Sequence, residues 1–170
     1  MSIEYRFDAY KAIEVLLYIA KKLPNMYKAL KVLYFADREH LAQYGRLICG
    51  DSYVAMSHGP VPSGAYDLVK IARGDGFNFI DIPVDEAFVV RDNVITTHRE
   101  TNLDLLSESD IECLDSAIQQ YGPLSFLELR KLSHNDKAFI SADENDFISL
   151  DAIINSLPNS EALLDYVRNG

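Results

Sequence analysis

Between Pro24 and Gly45 the chain reads NMYKALKVLYFADREHLAQY, residues 25–44. Met26, Leu30 and Leu33, with Ala29 and Leu41 beside them, recur at the three- and four-residue steps of a helix with one core-facing stripe. Asn25 stands where a helix N-cap belongs, and Gly45 supplies a C-terminal stop. Continued at the same spacing, the stripe meets Asp37, His40 and Tyr44. Polar groups on a core-facing side are costly without hydrogen-bond partners, so these three residues are expected to hold specific partners.

Upstream, Asp8–Lys22 reads as a second amphipathic helix, with Ala9, Ile13, Leu16, Leu17 and Ala20 on its apolar side. Lys11, Glu14, Tyr18, Lys21 and Lys22 occupy the polar side, and Pro24 ends the pattern. Downstream, residues 46–62 look irregular, rich in Gly50-Asp51 and Ser57-His58-Gly59-Pro60. Ser63 is expected to cap a short helix over Gly64–Arg73, closed by Gly74-Asp75-Gly76. A weak alternation marks a strand at Phe77–Ile82, and Phe88–Val90 with Val94–Thr96 flank an Asp92-Asn93 turn as a β-hairpin. Ser107 with Asp110 forms a weaker relative of a capping box for a helix to Tyr121. Ser125 with Glu128 forms a full box for a helix to Leu132. Two short helices follow, near Leu150–Ser156 and Ser160–Arg168. The fold class is therefore mainly α (α+β): one compact helical domain over residues 1–170 with a small β-hairpin element.

The 170 residues are 48% hydrophobic and 25% charged, an ordinary globular composition that can bury a core. No run approaches the roughly 20 apolar residues of a membrane span, and the first residues lack the basic-then-apolar order of a signal peptide. A cytoplasmic protein without a membrane partner is expected. Cys49 and Cys113 lie far apart and read as two buried thiols. Residues 1–74 carry ten Lys/Arg against seven Asp/Glu, a balance of +3, whereas residues 75–170 carry six against nineteen, a balance of −13. So acidic a half favours basic partners and makes nucleic acid an unfavourable ligand.

Enzyme signatures are missing: there is no phosphate-binding GxxxxGK[ST], no GxGxxG, no GxSxG and no HExxH. Asp37 and His40, one turn apart, together with His58 and Asp51 from the next segment, are the best set of metal ligands that a metal-dependent enzyme would use. The spacing is unspecific. Asp37 accepting backbone N–H groups from the irregular segment is the simpler reading, and no cofactor is expected. A DNA-binding regulator would rest on the paired helices between Ser107 and Leu132, but the second offers only Arg130 and Lys131 in an acidic half.

The run Lys31-Val32-Leu33-Tyr34-Phe35-Ala36-Asp37-Arg38-Glu39-His40-Leu41, then Tyr44-Gly45-Arg46, resembles the signature of the Panacea domain, the SocA-like antitoxin family, also described as phage-associated or GepA-like proteins. The resemblance continues through Gly50–Ala55, His58-Gly59-Pro60-Val61 and Tyr66-Asp67-Leu68. A looser part takes in Leu106-Ser107, Leu114, Tyr121-Gly122 and Leu132-Ser133-His134. Together these cover most of residues 8–140. Many relatives carry a Trp after the last element; this chain has none, and Phe139 stands in its neighbourhood. The resemblance implies a helical protein that neutralises a toxin encoded nearby by direct contact, in some relatives also handing it to a cytosolic protease. It carries over no catalytic residues. A protein-binding surface near the motif would use Asp37, Arg38, His40, Tyr44, Asp51 and His58. Asp37 would anchor backbone donors, Arg38 would offer a fork to a carboxylate, and Tyr44 would add contact area, together presenting the 46–62 segment to a partner. Stabilisation of the fold alone is the alternative for the same six.

Overall fold

The computed structural model describes residues 6–75 and 81–169. Helix α1 spans Ala9–Ala20 and α2 spans Met26–Tyr44. Strands β1 (Tyr53–Met56) and β2 (Gly59–Pro62) follow, then α3 (Ser63–Arg73), the single turn α4 (Val84–Ala87), and β3 (Phe88–Arg91) with β4 (Val94–Thr97). After a 3₁₀ turn at Leu103–Leu105 come α5 (Glu108–Tyr121), α6 (Phe126–His134), the short α7 (Lys137–Ile140), β5 (Phe147–Ile148), α8 (Leu150–Asn155) and α9 (Ser160–Asn169).

The central element is α2. Asn25 Oδ1 accepts from the backbone N–H groups of Tyr27 and Lys28, and Gly45 closes the helix in the left-handed region at φ 77°. Its buried residues point both ways. Met26, Ala29, Leu30, Val32, Leu33 and Ala36 join a cluster with α1, α3, β3, β4 and α5. Tyr34 and Leu41 join a second cluster with Tyr53, Ala55, Ile148, Ile153, Ile154, Leu157 and Leu163. A helix buried on two sides has few free faces for charge, which is why Lys31, Asp37 and His40 are buried too. Against α5 the contact is aromatic, with Phe35 stacked on Tyr121 at 4.1 Å between ring centres.

The β structure is larger than expected. β3 and β4 form the hairpin anticipated at Asp92-Asn93, whose φ values of 52° and 64° suit a type I′ turn. The segment 46–62, expected to be irregular, instead supplies β1 and β2, and β5 adds a third strand in the antiparallel order β2-β1-β5. Strands this short, one carrying two prolines, give no alternation long enough to read. The strand expected at Phe77–Ile82 falls largely outside the described residues, and Asp81 and Ile82 are not in a strand.

Two assignments of polar groups differ from expectation. Glu14, placed on the polar side of α1, is buried, and it accepts both guanidinium N–H groups of Arg99 at 2.8 Å and the backbone N–H of Asn102 at 2.8 Å. Burial alone would raise its pKa, but Arg99 and Asn102 outweigh it and hold the carboxyl below its ordinary value. Ser63 does not cap α3; it is the first helical residue. Asp51 does that work from twelve residues upstream, its Oδ1 accepting from Gly64 N–H at 2.8 Å and its Oδ2 from Ala65 N–H at 2.9 Å. Ser107 and Asp110 make the full reciprocal capping box, as do Ser125 and Glu128.

Asp51→Ala leaves the N–H groups of Ser52, Gly64 and Ala65 without their acceptor. We expect a loss of about 2–4 kcal/mol, read as a lower urea midpoint at unchanged m-value. Asp51→Asn, which keeps one acceptor, should lose less; equal losses would mean that the carboxylate is not the cap.

Candidate partner-binding surface at the first hairpin

The six residues singled out in the sequence separate into anchors and surface. Asp37 is fully inside: Oδ1 accepts from Ile48 N–H at 2.8 Å, and Oδ2 accepts from the Tyr53 hydroxyl at 2.5 Å. Burial pushes its carboxyl up to about 7, against the pull of those two donors. His40 Nδ1–H donates to the Arg46 carbonyl at 2.8 Å, and Nε2 faces the Ser109 hydroxyl at 2.9 Å and Asp110 at 3.4 Å. Burial lowers its pKa, so the ring is neutral and Nε2 is the acceptor of the Ser109 hydroxyl. Arg38 pairs with Asp136 at 2.8 Å and donates to Ser156 Oγ. Asp51 caps α3. Tyr44 is not on the core side; it is exposed at the end of α2, with its hydroxyl donating to Glu112 at 2.9 Å.

His58 alone of the six sits at the exposed turn of β1 and β2. Lys31 and Tyr44 are thirteen positions apart on α2, about 20 Å at 1.5 Å per residue, so these surfaces are distinct. The ligand set Asp37, His40 and His58 is not assembled either. Among the described residues no group of three or more His, Cys, Asp or Glu is placed to hold a metal. Cys49 and Cys113 are buried and unpaired, and burial raises both thiols, to about 12 for Cys113.

What the structure brings together is the hairpin turn and α6. Lys31 Nζ donates to the His58 carbonyl and, at 3.3 Å, lies by Ser133 Oγ. His134 Nε2–H donates to the Ser57 carbonyl at 2.9 Å. Both carbonyls of the turn are thus held from below. Gly59 is required there: its φ is 115°, and a Cβ would come within 2.5 Å of Ser133 Oγ. The Phe126 ring centre lies 5.6 Å from that of His58, 5.9 Å from that of Tyr27, and 5.8 Å from Lys31 Nζ.

Around this clamp the surface is apolar. Directly opposed residues of an antiparallel pair share a face, so Val61, Val54 and Phe147 form one row across β2-β1-β5. Their pleat mates Tyr53, Ala55 and Ile148 face the core. Phe147 is 64% exposed, and Leu127 on α6 and Ile140 on α7 are 65% and 66% exposed. Beside β2 opens a cleft lined by Tyr27, Leu30, Lys31, His58, Tyr66 and Phe126, among others.

The family description "Antitoxin SocA-like, Panacea domain" matches residues 30–139. The chain belongs to this Panacea family. No curated protein and no solved structure matches the chain significantly. Within the Panacea segment, the two blocks recognised in the sequence meet at the clamp. Lys31 opens the first, His58-Gly59-Pro60-Val61 closes it, and Ser133-His134 ends the second. Residues 8–29, including α1, precede the matched segment.

Lys31, Phe126, Phe147 and the sheet row were not singled out from the sequence. Lys31 enters there only as the first residue of the Panacea-like run, and only the pairing of β1 with β2 and β5 puts the row on one face.

The raised carboxyl of Asp37 has a sign that can be checked. The folded state binds a proton more tightly than the unfolded state, whose ordinary value is 3.8. The contribution of Asp37 to stability is therefore fullest below about pH 4 and declines as pH rises through about 7. Measured against Asp37→Asn across pH 4 to 8, the wild-type protein should lose roughly 2–4 kcal/mol of relative stability. A flat difference would show that the carboxyl is not held in that state.

Proposed function

We propose that this protein is an antitoxin that neutralises a toxin by direct binding, and that the toxin docks on the outer face of β2-β1-β5 and the adjoining surface of α6 and α7. The observation that carries the reading is the apolar row Val61, Val54 and Phe147, extended by Met56, Leu127 and Ile140. Membership of the SocA-like antitoxin family supports the toxin–antitoxin role. Contact rather than catalysis fits the anchors: the polar side chains of the motif are spent on internal hydrogen bonds, and both cysteine thiols are held neutral.

Asp37, Asp51, His40 and Arg38 then act as positioning residues that fix the 46–65 segment and its neighbours, while His58 belongs to the docking surface. Tyr44 sits apart and contributes little to toxin contact. Among the described residues no helix is long and apolar enough to cross a membrane, which suits a partner met in the cytoplasm. Hand-off of the bound toxin to a cytosolic protease needs a second surface, for which the acidic region of residues 100–170 is the candidate.

The reading is tested by co-expression with each neighbouring reading frame, scoring growth and recovering the complex. Phe147→Lys and Met56→Lys should fold with little change in Tm, yet weaken toxin binding about tenfold or more and abolish rescue. Tyr44→Ala should rescue like wild type. Full rescue by both lysine variants would remove this surface, and loss in Tyr44→Ala would move it to the end of α2. A chase of toxin after translation is stopped separates the modes: masking leaves its half-life unchanged, and hand-off shortens it.

A further inference from the structure

The cleft beside β2 has an unusual lining. Lys31 is 4% exposed, yet among the described residues no carboxylate forms an ion pair with it, and its ammonium meets the His58 carbonyl, Ser133 Oγ and the face of Phe126. Burying an ammonium with neutral partners alone is unfavourable, and burial together with the charge of Arg130 drives its pKa down to about 8. A methionine of similar volume would fill the space without that cost. The neighbouring depression is lined by Leu127, Arg130, Lys131, His134 and Asn135, and Arg130 Nε is buried without a hydrogen-bond partner among the described residues. Across both linings there are cations and histidines but no carboxylate among the described residues, in a chain of net charge −10.

On the reading that the toxin docks at this face, we infer that its contacting segment is acidic: an apolar or aromatic side chain enters the cleft between Tyr27, Tyr66 and Phe126, and an adjacent Asp or Glu carboxylate pairs with Lys31. Three features fit this occupant, and the second of them sets it apart from a neutral one. The cleft walls are aromatic and aliphatic, so they take a ring or a branched chain. The Lys31 ammonium in its lining lacks, among the described residues, the counter-charge that a bound carboxylate supplies, and pairing desolvated charges gives a charge-assisted hydrogen bond. The hairpin turn that forms the rim is clamped from both carbonyls, so the site is preorganised before anything binds.

The test pans a random twelve-residue peptide display library against the full chain as wild type, Lys31→Met and Phe147→Lys. Wild type should enrich peptides with Asp or Glu next to an aromatic or branched apolar residue. A synthetic copy of the leading peptide should bind at least about tenfold more weakly when its acid is changed to Asn or Gln, and that comparison does not depend on any protein variant folding. Lys31→Met, checked for folding by urea titration, should bind the acidic and amide peptides alike. Enrichment of neutral or basic peptides, no enrichment, or full displacement by millimolar inorganic phosphate would overturn the inference. Peptides that are neutral yet lost on Phe147→Lys would do so while leaving the docking face intact. Rescue of growth by Phe147→Lys would instead remove the face itself.

Discussion

A carboxylate closed inside a protein must be given donors, and for Asp37 the donors among the described residues are the Ile48 N–H and the Tyr53 hydroxyl. That requirement folds the chain after Gly45 back against α2. Once Tyr53 is fixed by its hydroxyl, β1 starts at a set height on the helix, and its pairing with β2 and β5 follows. The ring of Tyr53 meets Tyr34 edge-on at 4.9 Å, so the same residue serves as both hydrogen-bond donor and core. Replacing Asp37 by an apolar residue would satisfy α2 and release everything that the carboxylate positions.

The same device is used at three other acids. Asp51 ties the start of β1 to the first turn of α3. Asp110, buried at the start of α5, gathers Lys11 at 2.7 Å and Arg46 at 3.1 Å and lies by His40. Burial would raise its carboxyl, yet Lys11 and the Ser107 N–H outweigh it and hold the group charged. Asp136 accepts from Tyr34, pairs with Arg38 and caps α7. Each acid joins α2, or a neighbour of α2, to a segment remote in sequence. Polar residues concentrated in one short run therefore resemble a site while acting as fasteners, and the site lies where the fastened segments reach the surface.

This is also why the sequence was only partly legible. Features written within four residues of one another were readable: the Asn25 and Gly45 ends of α2, the Asp92-Asn93 turn, and the Ser125–Glu128 box. Features that depend on a partner far along the chain were not. Nothing local marks Asp51 as the cap of α3, or Arg99 as the partner that lets Glu14 be buried. The polar anchors on α2 were legible at Asp37 and His40 because they interrupt an apolar stripe. Lys31 was not, because a lysine in a helix reads as solvent-facing until β2 and α6 cover it. Tyr44 continued the stripe on paper but falls in the last turn, beyond the elements that bury the rest.

Charge shows the same difference between bulk and place. The balance of −13 over residues 75–170 predicts a basic partner, and at long range that field does oppose an acidic one. At physiological salt it is screened over about 8 Å, whereas the cleft interior is shielded from solvent and its charges act at contact distance. An acidic segment reaching Lys31 therefore crosses a screened repulsion and gains an attraction that is screened far less. Such a surface gives little electrostatic acceleration of encounter and concentrates discrimination in the bound state, where only a partner that places both its apolar side chain and its carboxylate is retained.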